Sequence, residues 1–594
     1  MFGRNWVQDW ARDWGQDWTS SLGGLIYSPL WYMSNMGQIN LPTPLALKDN
    51  TRTSIATAFD HEGRLVTGKA GEIMLDGGRR VQQLLSDSSD MTQAPWVALN
   101  GAVPTSDTIT FTNANSGVRQ VLANQNPKGD FVVAVTVSGD STTFDLELVD
   151  NADGSDSHIF EITATATPVR YYVLMDNSTS STFSGALGVY INRTGSKATP
   201  GTTVTLSDWM LEEVTGQSNQ NPSNYLDSNT DYDYNANGVR WYTITNGNSV
   251  ASNVVTEAAG TALSPVPQVL TQPSRTNNVW PSRDFTHANW VATNITKALD
   301  AVGIDGLVNG ASSLTATAAN ATVFNTVTLA SAGYTTSFYV RRKTGTGTIE
   351  LTENGGTSYT DITSLTNSST YTRVDITTTQ ANPSIGFRIV TSGDAIEVDA
   401  AQLETGTEAT NPIKTTTAAA TRDNDQIDTA DFDSWFNSDE GVSLLAMTET
   451  GDWSVIDATR YLYGGTNTRP VYRNNAVDGV VSFDGTSTTA TSIGHTPGQE
   501  VLIATIWSVA LSSLVIGYTP DGGTTWTWDA SPAAFSGFSP DITVTVGELL
   551  QELCTFRGAL IYSGLPPGSS ATLADVQQWC EDNALAEVEK IEGK

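Results

Sequence analysis

Runs of β-branched and aromatic residues a few positions long, separated by polar turn clusters, fill most of this chain. Phe131-Val-Val-Ala-Val-Thr-Val137, Phe144-Asp-Leu-Glu-Leu148 and Tyr171-Tyr-Val-Leu174 read as strands. So do Thr335-Thr-Ser-Phe-Tyr-Val340, Thr348-Ile-Glu-Leu351 and Thr372-Arg-Val-Asp-Ile376. Turns recur at intervals of about 8–12 residues, which predicts all-β sandwiches, specifically jelly rolls. Asp60-His-Glu-Gly63 is a hairpin turn between Ile55–Phe59 and Arg64–Thr67, with a counterpart turn at Asn235–Gly238 leading into Val239–Ile244. The uncharged run Val501–Tyr518 contains Thr505, Ser508, Ser512 and Ser513 and ends at Pro-Asp-Gly-Gly. That predicts two buried strands with a bend rather than a membrane span. A helix is expected at the C-terminus, where Thr572-x-x-Asp575 offers a capping box ahead of Leu573, Val576, Cys580 and Leu585.

The strand pattern occurs twice. Arg80 opens a stretch through Asp90 to Trp96, and Arg275 opens another through Ser282-Arg-Asp-Phe285 to Trp290. Leu146-Glu-Leu148 aligns with Ile349-Glu-Leu351, and Gly188-Val-Tyr-Ile191 with Gly386-Phe-Arg-Ile389. The copies close on Leu211-Glu212 and Leu403-Glu404, then Asn221-Pro222 and Asn411-Pro412. An offset of roughly 190–200 residues is too long for a solenoid and indicates domain duplication. A predicted hairpin precedes each copy.

Composition narrows the functional classes. The 594 residues are 39% hydrophobic and only 16% charged, with 51 Gly, so Thr, Ser, Asn and Gln must cover the surface. A net charge of −33 repels phosphate backbones and argues against nucleic-acid binding. Two cysteines, Cys554 and Cys580, cannot build a disulfide framework. No basic stretch followed by an apolar core opens the chain, so no secretory signal is expected.

Residues 1–44 stand apart. Trp6, Trp10, Trp14 and Trp18 recur every fourth position, which on a helix places four indoles in one stripe. So much apolar surface calls for a partner, and these four residues are the expected anchor to another protein chain, with the first domain of this chain as the alternative.

Constellations for catalysis are missing. His61, His158, His287 and His495 are scattered, and no nucleophile elbow or phosphate-cradling glycine loop occurs. Chance carboxylate pairs are inevitable among sixty-three acidic residues and carry little weight. Thr519-Pro-Asp-Gly-Gly-Thr-Thr-Trp526 matches the Asp-box turn pattern, whose job is to fold a tight hairpin. Asp150-Asn-Ala-Asp153-Gly-Ser-Asp156 is rich enough in oxygen for a structural Ca²⁺, with an acidic loop as the plainer explanation. No other cofactor is expected. Sugar binding needs exposed aromatic platforms, and Trp241, Trp453, Trp526 and Trp528 are the candidates on polar, turn-rich segments.

Taken in order, the motifs are an acidic-Gly hairpin, Arg275-Thr-Asn277, Ser282-Arg-Asp-Phe285, Trp290, Phe338-Tyr-Val340, Gln402-Leu-Glu404, Asn411-Pro412 and Thr421-Arg-Asp423. This order resembles the carbohydrate-binding-module-like jelly rolls common in structural proteins of tailed bacteriophages. The first copy is degenerate, with Asp90-Met91 for Asp-Phe and Met210-Leu-Glu212 for Gln-Leu-Glu. The resemblance implies jelly rolls over 90–218 and 283–412, hairpin linkers over 45–89 and 219–282, and a concanavalin-like sandwich over 425–594. It further implies a non-enzymatic virion protein assembled in the host cytoplasm. Such a protein is a fibre or tail appendage anchored through its N-terminus to other virion proteins, homotrimeric, and adhering to host-surface glycan. A head-decoration or tail-adaptor protein and a glycan-degrading tailspike are the alternatives. Neither nucleic-acid partners nor membrane insertion is expected.

Overall fold

The computed structural model describes residues 50–123, 125–126, 129–152, 157–176, 184–193, 195–223, 268–425, 437–449, 498–538 and 571–591, with short strands elsewhere described chiefly by their backbone course. Among the described residues the only helical elements are a 3-10 turn, Thr363–Leu365, and one α-helix, Leu573–Ile591. The chain forms two compact units, one containing Arg79–Leu263 and the other combining Leu25–Gly78 with Ser264–Lys594.

The first unit holds a sandwich of two five-stranded sheets. One sheet runs Val97–Leu99, Gly117–Leu122, Leu187–Ile191, Thr143–Asp150, Ser157–Thr163. The other runs Val103–Pro104, Thr108–Thr110, Thr203–Glu213, Phe131–Gly139, Val169–Met175. The second unit contains the same arrangement, strand for strand. There one sheet is Val291–Thr293, Ala321–Thr326, Ser384–Ile389, Ile349–Thr352, Thr360–Asp361. Its partner is Ile295–Ala301, Ala311–Ala316, Ala395–Thr405, Ala332–Thr344, Thr372–Gln380.

Register repeats as well as order. Glu147 lies opposite Tyr190, and Glu350 opposite Arg388. Val133 lies opposite Leu211, and Thr336 opposite Leu403. A β-bulge follows Ala134 in one copy and Ser337 in the other, opposite a positive-φ residue, Asp208 (φ 53°) or Ala400 (φ 48°). Bulges sharpen strand twist and close a sandwich corner. The alternating apolar positions fill one core per copy. Trp96 and Trp209 lie 5.2 Å apart in the first, and Phe285 stacks on Trp290 at 3.9 Å in the second.

The motifs that punctuate the sequence assemble into a buried carboxylate latch. Glu404, fully buried, accepts from the Thr410 backbone N–H (2.6 Å), the Thr410 hydroxyl (2.7 Å) and the Gln402 amide (3.0 Å). Arg422 donates to Thr410 Oγ1, the Asn411 carbonyl and the Pro273 carbonyl. Burial lowers the Arg422 pKa to about 10 against the pull of Glu404 and Asp425, so it stays charged at neutral pH. Asp425 in turn receives Arg52 (2.8 Å), Asn50 (2.6 Å) and the Gln272 N–H (2.8 Å), drawing the segment ahead of the first repeat onto the end of the second. The first copy uses the same device, with Glu212 accepting from the Ser223 N–H (2.6 Å), the Ser223 hydroxyl (2.9 Å) and Arg79 (3.3 Å).

Each hairpin serves the other repeat rather than the one it precedes. The hairpin Ala56–Phe59/Leu65–Gly68 caps the second repeat. The Leu65 N–H donates to the Ile304 carbonyl (2.9 Å), the Thr57 hydroxyl to the Pro412 carbonyl (2.7 Å), and Phe59 and Leu65 cluster with Tyr339, Tyr371 and Ala400. The later hairpin pairs Tyr242–Ile244 with Val255–Glu257 and lies against Val169–Met175 of the first repeat. Its arms fall downstream of the turn read from sequence, because Asp233–Asn235 pairs with Arg79–Val81 instead. The chain leaves the second unit just after Met74–Asp76 and returns at Gln268–Thr271, and these two strands pair antiparallel.

In the C-terminal region, one sheet contains Glu440–Glu449, Cys554–Tyr562, Glu500–Ser508 and Ser513–Thr519, with Trp31–Ser34 added in parallel beside Cys554–Tyr562 and Thr43–Pro44 outside it. A second sheet runs from Leu47–Asn50 through Ile427–Thr429 to Thr488–Ser492. The run Val501–Tyr518 is a hairpin of two buried strands, as its pattern predicts. The helix packs Val576, Cys580, Ala584 and Val588 onto Val442, Leu444, Ala504 and Ile506. Its capping box forms through Thr572 and Asp575, the Thr572 N–H donating to Asp575 (2.8 Å). Cys580 is a buried free thiol whose pKa burial pushes up. No helix among the described residues is long and apolar enough to cross a membrane.

Two expectations follow. Removing one partner from a buried charged network costs about 3 kcal/mol or more. Glu212→Ala and Glu404→Ala should therefore each destabilise the unit that contains it by about that amount in urea denaturation. A loss below about 1 kcal/mol would show the latch to be dispensable. Second, Arg283 holds Asp305 (2.6 Å) and Asp399 (2.8 Å). Burial favours the neutral Asp305 carboxyl, but the Arg283 hydrogen bonds and charge, with Lys414 at 3.1 Å, bring it down to about 2. A depressed carboxylate stabilises the fold above its unfolded pKa and loses that contribution as pH falls through its folded value. Between about pH 4 and pH 2 the second unit should lose about 2 kcal/mol, and Asp305→Asn should flatten that limb of an acid-denaturation curve.

Candidate binding faces of the two repeats

A sandwich has two outer faces, and in each repeat one is occupied. The Tyr339–Ala400 face of the second repeat lies under the 56–68 hairpin, where Arg373 sits 5.8 Å from the Tyr339 ring centroid. The opposite sheet turns its outer side chains away from the core, and this is where the candidate site lies.

In the second repeat, Val323, Phe387, Ile349 and Leu351 point inward, so Phe324, Arg388 and Glu350 point outward by strand alternation. One cross-strand row reads Thr293, Thr322, Arg388, Glu350, Asp361, and the adjacent row Val291, Phe324, Gly386, Thr352. Arg388 is ion-paired to Glu350 and lies 3.8 Å from the Tyr359 ring centroid. The pairing with Glu350 raises its pKa further. Gly356 (φ 88°) lies between the Tyr359 hydroxyl and Phe324, where a Cβ would strike the tyrosine. Val291 at the edge is 66% exposed. Two half-buried rings around a fixed guanidinium form a shallow platform that can stack a flat apolar face and hydrogen-bond its polar rim.

The first repeat builds its row from other residues. Across the five strands it reads Val97, Arg119, Tyr190, Glu147, Ile159. Arg119 Nη1 donates to the Tyr190 hydroxyl (3.3 Å), which donates in turn to Asn151 Oδ1. Arg193 approaches the same ring at 5.4 Å. The strand position of Arg388 is thus held by Tyr190, and the arginines come from neighbouring segments.

The residues singled out from sequence fall elsewhere. Trp526 and Trp528 stack on each other at 5.4 Å and are half-buried in the cluster beneath the C-terminal helix. The Trp528 indole N–H donates to Glu581 of that helix (2.9 Å). The Asp-box turn folds as its residues require, with the Thr525 N–H donating to Asp521 (2.8 Å), the Thr519 hydroxyl donating to Asp521 (2.7 Å), and Gly522 and Gly523 at positive φ. Those hydrogen bonds lower the Asp521 pKa. Trp6, Trp10, Trp14, Trp18, Trp241 and Trp453 lie outside the described residues. Of the oxygen-rich loop, Asp150 accepts from the Ser184 N–H and hydroxyl, while Asp153 and Asp156 lie outside the described residues. No cluster of metal-ligating side chains occurs among the described residues.

No protein-family model and no curated protein sequence matches the chain. Among solved structures it is similar to the tandem CBM22-1–CBM22-2 domain of Paenibacillus barcinonensis Xyn10C, at 12% identity over 55% of this chain and 98% of that one, with a TM-score of 0.18. Tripeptidyl peptidase 2 follows at 9% identity over 84% of this chain and 32% of that one, TM-score 0.14. Hazelnut (Corylus avellana) vicilin matches at 11% identity over 59% of this chain and 84% of that one, TM-score 0.11. The β-sandwich architecture of the two repeats is defined by the strand order of their sheets.

Proposed function

We propose that this chain is a virion protein of a tailed bacteriophage, a fibre or tail-associated appendage that adheres to host-surface glycan through its repeats. The observation that carries this reading is the pair of sandwiches with one strand order, each presenting an outward sheet face bearing rings and guanidiniums. Weak contacts repeated within a chain, and again within an oligomer, add up to useful avidity because the second contact is intramolecular. The phage context rests on the motif order, which resembles the jelly rolls of tailed-phage structural proteins. In this reading the Trp6–Trp18 segment anchors the chain to the particle, the chain assembles as a homotrimer, and no catalysis is involved.

A cryo-electron map of the particle tests the proposal. It predicts that the Trp6–Trp18 segment is buried against another virion protein while the sandwiches project outward. A chain lying flat within the shell or the tail wall would replace adhesion with an architectural role.

A further inference from the structure

Arginine is scarce in a chain of net charge −33, and half of its described arginines are paired with carboxylates. Arg52 holds Asp425, Arg79 holds Glu212, Arg283 holds Asp305 and Asp399, Arg341 holds Glu397, Arg342 holds Asp394, and Arg388 holds Glu350. Arg119 and Arg193 differ. Their guanidinium carbons lie 5.9 Å and 5.4 Å from the Tyr190 ring centroid, and neither pairs with a carboxylate among the described residues. Arg119 spends one N–H on the Tyr190 hydroxyl, and its buried Nε has no acceptor. Glu147, the carboxylate in the row, is fully buried, whereas both arginines are partly open to solvent.

The row ends in exposed apolar residues on both sides, Val97 (45% exposed) and Ile159 (48% exposed). A ligand crossing the strands would therefore meet apolar contact, two guanidiniums lying against the buried Tyr190 ring, and apolar contact again. Guanidinium forks match planar carboxylates, and these two, both within about 6 Å of one ring and paired with no anion among the described residues, leave donors unused. We infer that Arg119 and Arg193, supported by the buried Tyr190 ring, form a subsite for the carboxylate of an acidic polysaccharide, lying on the open sheet of the first repeat. The second repeat lacks this property, because Glu350 already neutralises its arginine. The two copies thus divide the work, one toward neutral sugar faces and the other toward acidic ones. This inference rests on the reading of the repeats as glycan-facing modules.

The test is affinity electrophoresis of the full chain in gels containing polygalacturonate, dextran sulfate or dextran. The strongly negative chain repels polyanions at long range, so retardation by polygalacturonate requires a local site. The expected result is retardation by polygalacturonate, weakened about tenfold by Arg193→Gln and further by Arg119→Gln/Arg193→Gln. Arg193→Gln touches only the ring face and should leave the thermal unfolding transition in place, which separates loss of binding from loss of fold. The double lysine variant should recover only part of the affinity, since charge remains but the fork does not. Absence of retardation, retardation indifferent to Arg193→Gln, equal retardation by dextran, or retardation by dextran sulfate alone would each overturn the carboxylate subsite. If polygalacturonate binding fails while the chain still binds host cells, the subsite is wrong and the adhesin reading stands. If host cells are not bound at all, that reading fails on its own.

Discussion

The fold depends on placing a carboxylate where water cannot reach it. Each repeat ends its last long strand in a glutamate, Glu212 or Glu404, whose oxygens are claimed by a serine or threonine a few residues on and supported by a buried arginine. An ionised group in an apolar interior tolerates no slack, because any missing donor leaves a desolvated charge. The chain must therefore return to one position after the sandwich closes. In the second repeat this requirement extends through Arg422 and Asp425 to Asn50 and Arg52, tying together segments almost four hundred residues apart in sequence. Hydrophobic burial fills the sandwiches. The latch decides where their ends meet.

That closure leaves the two faces of each sandwich unequal. One sheet is capped by a hairpin, and the other presents its alternate residues outward. Because the core consumes every second side chain of the open sheet, only the intervening positions are free to differ between copies. They do differ, since Arg388 under Tyr359 in one copy corresponds to Tyr190 beneath two arginines in the other. The inward positions remain mostly apolar in both copies, as the two cores require, whereas the outward row keeps the glutamate, Glu147 or Glu350, and changes around it.

Much of this architecture was legible in the sequence. The strands, the duplication, the C-terminal capping box and the Asp-box turn all follow from local pattern, and the alignment of Gly188–Ile191 with Gly386–Ile389 matches the register of the sheets. The motif residues Gln402, Glu404, Asn411 and Arg422 were recognisable as punctuation, but their joint role was not, because a buried network is a property of tertiary proximity. The hairpins show the same limit. Adjacency in sequence suggests that the hairpin before a repeat belongs to it, yet docking surfaces chose the other repeat. The aromatic candidates misled for a related reason. Tryptophans on polar, turn-rich segments suggest open platforms, whereas Trp526 and Trp528 are half-covered by a helix that arrives more than forty residues later. The outward residues Phe324, Tyr359 and Arg388 gave a weaker signal, visible only once strand alternation is fixed by the core.

The most direct measurement is hydroxyl-radical footprinting of the full chain, alone and with surface polysaccharide from cells that it binds. Phe324, Tyr359 and the exposed Val97 and Ile159 that flank Tyr190 should become protected while Trp526 and Trp528 do not change. Protection confined to the tryptophans beneath the helix, or to the hairpin-capped faces, would contradict a ligand site on the open sheets.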